Sequence, residues 1–231
     1  MNLTLHPRQY AALNSSATEI LYGGAAGGGK SHLLRVAAIV YSIQIPGLQT
    51  YIFRRTYKEL IANHMRTSGG FPELLKEFID DGLVKINWSD NSIDFKNGSR
   101  ITLAHCQHDS DMINYQGAQI GFLAVDESTH LSEEVYRFLR SRVRLGSLKV
   151  PKEYVGMFPR ILACSNPGGI AHNFWKKNFV DQGESAWRTE SHDGGMIRQY
   201  VPAKLSDNKT LTENDPHYAD RLRGLGSDHL I

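Results

Sequence analysis

Two cysteines in 231 residues exclude a disulfide-framed scaffold. Cys106 and Cys164 each sit in a strand-like apolar stretch, which reads as free thiols in a reducing cytosol. No apolar run approaches the length that a membrane-spanning helix needs. Met1 to Pro7 lack the basic-then-apolar order of a secretory signal. Charge of neither sign is in excess: 26 Lys and Arg against 24 Asp and Glu leave +2, with a pI near 8.5. Any contact with nucleic acid must therefore come from local patches, not from the field of the whole chain. There is no internal repeat and no low-complexity segment. His105-Cys106-Gln107-His108-Asp109 has no second ligand pair at finger-like spacing, so it reads as a strand end entering a polar loop and not as a metal site. A hydrophobic content of 41% and a charged content of 22% suit one large globular domain, or one with a small appendage.

Glycine, by contrast, is concentrated. In Gly23-Gly24-Ala25-Ala26-Gly27-Gly28-Gly29-Lys30-Ser31-His32, the residues Gly24, Gly29, Lys30 and Ser31 fit the pattern G-x-x-x-x-G-K-[ST]. Glu19-Ile20-Leu21-Tyr22 before it reads as a short buried strand, and Leu33 to Val40 after it as a helix. That strand–loop–helix context is what the pattern requires. A polyphosphate must lie against backbone N–H groups, so side chains there have to be small. Gly24, Ala25, Ala26, Gly27, Gly28 and Gly29 meet that need. The helix starting near Lys30 turns its positive dipole end toward the phosphates. Lys30 is expected to reach the β- and γ-phosphates, and the Ser31 hydroxyl to ligate Mg²⁺.

A second anchor is Ile120-Gly121-Phe122-Leu123-Ala124-Val125-Asp126-Glu127. A continuous apolar run ending in two acids reads as a central parallel strand whose acids emerge beside the phosphate loop. Asp126 is then expected to hold Mg²⁺ through water or Ser31, and Glu127 to polarise an attacking water as general base. The bland alternative is a pair of acids capping the next helix. Arg160-Ile161-Leu162-Ala163-Cys164-Ser165-Asn166-Pro167-Gly168-Gly169 is a third strand-to-turn element. The Asn166 amide there can sense the γ-phosphate or the water, although, taken alone, simple turn chemistry is the stronger reading.

Other stretches carry weaker signals. Gln9, just after His6-Pro7-Arg8, offers a donor and an acceptor that could read adenine, or it merely belongs to a helix that starts after Pro7. Thr50-Tyr51-Ile52-Phe53 reads as a second strand, and Arg54-Arg55 at its end could touch phosphate, DNA or a neighbouring subunit, or open a solvated helix. Phe71 to Ile79 reads as an amphipathic helix. Period-two patterns from Leu83 to His105, with Asn97-Gly98 as a hairpin turn, predict an antiparallel insert beside the main sheet. Ser132 to Arg144 reads as a helix with Arg137, Arg140, Arg142 and Arg144 on one or two faces. A short helix from His172, a late strand over 196–201 and a helix over 215–222 complete the reading.

Together these motifs resemble the N-terminal ATPase domain of tailed-bacteriophage terminase large subunits, the DNA-packaging motors. The resemblance rests on His6-Pro7-Arg8-Gln9 as an adenine motif, Gly24 to Ser31 as the phosphate loop, and Phe53-Arg54-Arg55. It rests further on Tyr115-Gln116-Gly117 ahead of Val125-Asp126-Glu127, on Ser165-Asn166-Pro167-Gly168-Gly169 as a coupling motif, and on Val201-Pro202-Ala203 with Asp207-Asn208. It implies an α/β P-loop fold of the RecA-like, additional-strand (ASCE) kind, with a mostly parallel sheet and helices on both faces. It implies ATP hydrolysis with Mg²⁺ that drives double-stranded DNA into a procapsid, by a ring of subunits on the portal protein, with a small terminase subunit as a further partner, in the bacterial host cytoplasm. Residues 1–231 are expected to form this ATPase domain, without the metal-dependent nuclease domain that large terminases also carry. The sequence departs from the family in two places: Gly23 to Ala26 carry no positive charge, and Gln116 stands where some relatives have arginine. The arginine finger is therefore not placed by motif, and Arg142 and Arg144 are the candidates. Other readings are a helicase-like or PhoH-like ATPase, or a nucleotide-dependent assembly switch. A small-molecule kinase suits the paired acids less well.

Overall fold

The computed structural model describes residues 3–224, so both ends of the expected 1–231 domain, 1–2 and 225–231, lie outside the described residues. Its strands are β1 (Glu19–Gly24), β2 (Gln49–Arg54), β3 (Val84–Asn87), β4 (Ser92–Phe95), β5 (Arg100–His105), β6 (Phe122–Asp126), β7 (Arg160–Ser165), β8 (Trp187–Arg188) and β9 (Ile197–Ala203). They form one nine-stranded sheet in the order β3-β4-β5-β2-β6-β7-β1-β9-β8. From β5 to β9 every neighbour is parallel. Antiparallel pairing is confined to the two margins.

The helices are α1 (Pro7–Leu13), α2 (Lys30–Gln44), α3 (Tyr57–Ile61), α4 (Phe71–Leu74), α5 (Lys76–Asp80), α6 (Glu133–Ser141), α7 (His172–Asn178), α8 (Lys209–Asn214) and α9 (Tyr218–Arg223). Strand alternation divides the core in two. Ile20, Tyr22, Phe122, Ala124, Leu162 and Cys164 pack with Leu33, Leu34 and Ala37 of α2. Leu21, Leu123, Val125, Ile161 and Ala163 pack with Val135, Tyr136 and Leu139 of α6 and with Phe174 and Trp175 of α7. Burial on both faces is why the central strands read as unbroken apolar runs. The hand of the crossovers decides which helix covers which face. The step from β1 to β2 through α2 runs one way along the sheet; the steps from β6 to β7 and from β7 to β9 run the other way. Right-handed connections then place α2 opposite α6 and α7, as the two cores show. All these parallel strands end on one edge, and that edge carries the site.

Two expectations change in detail. The antiparallel segment is continuous with the main sheet, because β5 pairs antiparallel with β4 and parallel with β2. The helix expected over Phe71–Ile79 breaks at Leu75, whose φ −100°, ψ 5° is not helical, and becomes α4 and α5. The short β8 and α8 were not legible as periodic stretches. Cys106 and Cys164 are free and buried, as expected, and burial pushes both thiols up, Cys106 to about 12. Among the described residues no helix is long and apolar enough to cross a membrane.

Candidate active site

The glycine run leaves β1 and curls into α2, whose first turn starts at Lys30. Gly29 caps that helix at φ 70°, ψ 24°, and a Cβ there would overlap Nε2 of Gln9. At Gly23, φ 153°, a Cβ would overlap the Ser165 carbonyl of the neighbouring strand. Glycine is thus required at both ends of the loop, by conformation and by space.

Loop carbonyls are held away from the cradle by side chains. Tyr200 donates to Gly23 O (3.1 Å), Lys30 to Ala25 O (2.5 Å), Asn208 to Gly27 O (2.6 Å), Tyr22 to Gly28 O (2.9 Å) and Gln9 to Gly29 O (2.8 Å). The amide of Ala25 is taken by Ala203 O at 3.0 Å. Since the first-turn N–H groups of α2 have no intrahelical carbonyl, they and the loop amides are what an anion would meet. Lys30 is 8% exposed, and burial holds its pKa below the ordinary value against the opposing pull of Glu127 and Asp126.

Asp126 ends β6 across from the loop. The Ser31 hydroxyl lies 3.5 Å from both of its carboxylate oxygens. Its Oδ2 also accepts from Arg54 Nη1 at 2.6 Å and from His64 Nε2 at 3.1 Å. Burial alone would raise this acid, but the His64 hydrogen bond and the Arg54 charge outweigh it and bring the pKa down to about 2. His64 is fully buried, and burial holds its own pKa below the usual value. A carboxylate only accepts, so Nε2 carries the proton, and Nδ1 is left without a partner. Hydroxyl and carboxylate oxygens form a hard donor set that fits Mg²⁺. Among the described residues no three His, Cys, Asp or Glu side chains converge as a metal cage, so a cation here would rely on phosphate oxygens as well.

Glu127 follows Asp126 in left-handed backbone, φ 50°, ψ 53°. For a glutamate this is a strained conformation that persists only when its surroundings impose it. They do. Trp175 Nε1 donates to Ser128 O at 3.2 Å, Thr129 Oγ1 pairs with Ser165 Oγ at 2.7 Å, and Ala171 N donates to Thr129 O at 3.0 Å. The same bonds tie the turn after β6 to the turn carrying Asn166, whose buried Oδ1 has no partner. Asn166, Ser165, Thr129 and Trp175 line a cavity of about 460 Å³ beside the loop. A second cavity, of about 630 Å³, opens on the other side of the loop among His6, Gln9, His32, Asn208 and Leu211.

The structure therefore brings Gly24, Ala25, Ala26, Gly27, Gly28, Gly29, Lys30, Ser31, Asp126, Glu127 and Asn166 to one edge. Other candidates stand differently. Gln9 is buried with both ends of its amide engaged, Oε1 by His6 N at 2.8 Å and Nε2 by Gly29 O, so it braces the loop, and a base in the adjoining cavity could meet its amide only by exchanging those bonds. His32 points its Nε2 at Thr4 O, 3.0 Å away, and adds only backbone to the cradle. Arg142 and Arg144 bracket Ile120 by backbone hydrogen bonds at the amino end of β6. Six residues of strand, about 20 Å, separate Ile120 from Asp126, so neither arginine reaches this chain's own phosphate site. Arg54, expected to touch phosphate, DNA or a neighbour, is paired to Asp126 instead. Sequence reading missed His64 and Arg35. Arg35 is buried one turn beyond Ser31 on α2 and donates to Asn63 O at 2.8 Å, which pins the π-helical turn Ala62–Arg66 that delivers His64.

A parallel α/β sheet with this loop, this hydroxyl–carboxylate pair and this strained acid defines a P-loop nucleotide-binding domain. Residues 21–229 match the family described as "Terminase large subunit, T4likevirus-type, N-terminal", and the chain belongs to that family. Solved structures agree in fold. The large terminase of a thermophilic bacteriophage, in complex with ADP, superposes with a TM-score of 0.66 at 16% identity, covering 94% of this chain and 50% of that one. The same terminase in complex with ATP-gamma-S gives 0.65 at 16%, covering 95% and 49%. The ATPase domain of the Thermus phage P74-26 large terminase gives 0.61 at 17%, covering 95% and 88%. The chain thus spans about half the length of the first of these relatives. No curated protein sequence matches it.

Proposed function

We propose that this chain is the ATP-hydrolysing motor domain of a phage DNA-packaging machine. One observation carries the reading: Lys30 and Ser31 from the first turn of α2 and Asp126 and Glu127 from the end of β6 converge at one edge, with Ser31 Oγ 3.5 Å from the Asp126 carboxylate. ATP would lay its phosphates on the loop amides, and Lys30 would leave Ala25 O for a phosphate oxygen. Ser31 and Asp126 would hold Mg²⁺, which when bound neutralises charge on the phosphate oxygens. Glu127 would accept a proton from water as the water oxygen bonds to the γ-phosphorus and the bond to the ADP oxygen breaks. Asn166 would register the change and pass it to the turn after β7.

In the complete protein this cycle would move double-stranded DNA into a procapsid, by a homo-oligomeric ring on the portal with the small terminase subunit as partner, in the host-cell cytoplasm. Residues 1–231 would form one ATPase domain, and no nuclease chemistry is assigned to it. Glu127→Gln tests the core of the proposal. ATP binding should persist while turnover falls about 10²–10⁴-fold; unchanged turnover would remove Glu127 as the base. Turnover with and without double-stranded DNA and portal tests the coupling.

A further inference from the structure

Asp126 is gripped on one side only. Oδ2 accepts from Arg54 at 2.6 Å and from His64 at 3.1 Å, whereas Oδ1 has only the Ser31 hydroxyl, at 3.5 Å. Neither gripping residue is loose. Arg54 leaves β2, the strand beside β6, and its Nε also faces Glu59 Oε2 at 3.6 Å, while Glu59 is tied to Thr56 Oγ1 at 2.8 Å. His64 comes from the π-helical turn, which Arg35 fixes through Asn63 O. Such turns are rare and are frequent at functional sites. His64 is fully buried and leaves Nδ1 unpartnered, an unfavourable arrangement that packing alone would not require.

We propose that Arg54 and His64 are positioning residues that clamp Oδ2 of Asp126 and so present Oδ1, together with Ser31 Oγ, to the divalent cation of a metal–nucleotide complex. The inference rests on the nucleotide reading above and deepens it. A carboxylate free to rotate offers either oxygen to a hydrated cation; one fixed by two donors on a single oxygen offers only the other. Outer partners of this kind tune metal affinity by about 10–100-fold where they have been removed. The bland alternative is a buried ion pair with no role beyond stability. The two differ in what they do to metal dependence.

The test measures binding of ATP-gamma-S, first in EDTA and then across a Mg²⁺ titration, without turnover. The variants are Arg54→Gln and His64→Gln, with Arg55→Gln as a control that removes an equal charge one residue on, at an exposed position without contact to Asp126. Circular dichroism and thermal midpoints establish that each variant is folded. In both clamp variants the Mg²⁺ concentration for half-maximal tightening should rise about 10–100-fold, while affinity in EDTA stays close to that of Arg55→Gln. If Arg54→Gln does not fold, His64→Gln carries the same expectation alone. A Mg²⁺ midpoint within twofold of wild type in a folded clamp variant overturns the proposal. So does a loss of affinity equal in EDTA and in Mg²⁺, which marks a merely structural pair. If wild type itself binds no ATP-gamma-S, the nucleotide reading fails, a result distinct from failure of the clamp alone.

Discussion

Replacing Gly29 by alanine tests the account of the phosphate loop. Gly29 sits at φ 70° with its carbonyl bonded to Gln9, and an added Cβ would overlap the very nitrogen that makes the bond. Left-handed backbone costs a non-glycine residue about 1–2 kcal/mol. Displacing Gln9 loses a hydrogen bond worth about 0.5–1.5 kcal/mol. Gly29→Ala should therefore destabilise by about 1.5–3.5 kcal/mol, the sum of those two terms. Gln9→Ala should cost about 1–3 kcal/mol, because it strands the Gly29 carbonyl and the His6 amide together. The double variant removes the overlap and cannot lose the Gln9 bond twice, so it should fall about 1 kcal/mol short of the sum of the single effects. Urea unfolding of the four proteins measures each value. Additivity, or a Gly29→Ala effect below about 0.5 kcal/mol, the range of ordinary surface substitutions, would refute the claim that Gln9 and Gly29 form one brace.

Three further outcomes follow from other parts of the molecule. Glu127→Asn, a residue that tolerates left-handed backbone, should lower turnover about 10²–10⁴-fold yet raise stability by up to about 1 kcal/mol; a lower thermal midpoint would show that the strain is not real. For Asp193, burial would raise the pKa, but Arg198, Arg137 and Arg140 outweigh it and bring it to about 2. An acid depressed in the folded state adds stability above its unfolded pKa near 4 and loses it as pH falls toward 2, so the wild-type advantage over Asp193→Asn should shrink across that window; a constant difference would exclude the charge effect. Arg142 and Arg144 can reach a phosphate only in a neighbouring subunit, so specific ATPase activity should rise with protein concentration, and mixing Arg144→Ala with Glu127→Gln should restore part of it if Arg144 is the finger. Flat specific activity from nanomolar to high micromolar protein counts against a finger in trans.

The parts of the site legible in sequence were those built from adjacent residues. A glycine loop announces its small side chains, and Asp126-Glu127 announce a strand end, because local pattern and function coincide there. The parts that escaped are joined through space. His64 lies sixty-two residues from Asp126, on a π-helical turn whose period no helical template matches. Arg54 was legible as a cation on the ligand edge, but which anion it meets depends on β2 lying beside β6, a matter of strand order. Gln9 was read by its donor and acceptor, and both are present, but they face the chain's own backbone. The antiparallel stretch was found by its alternation, although alternation cannot tell whether the outer edge of β5 is free or paired with β2.

A loop made of glycine and alanine has no side chains with which to hold itself, so its shape must be imported. The donors come from α1 (Gln9), β1 (Tyr22), β9 (Tyr200), the turn before α8 (Asn208) and α2 itself (Lys30). Four of these are uncharged and offer a polyphosphate little that its own loop amides do not. Lys30 is the one cationic side chain among the five, and its partner is a neutral carbonyl, which competes for it less strongly than a phosphate oxygen would. Under the proposed function, nucleotide entry would exchange one of these five anchors and leave four in place. The cradle would then receive its ligand without rebuilding, held by the distant residues Tyr200 and Asn208, which stand 177 and 181 residues beyond the loop carbonyls they bond.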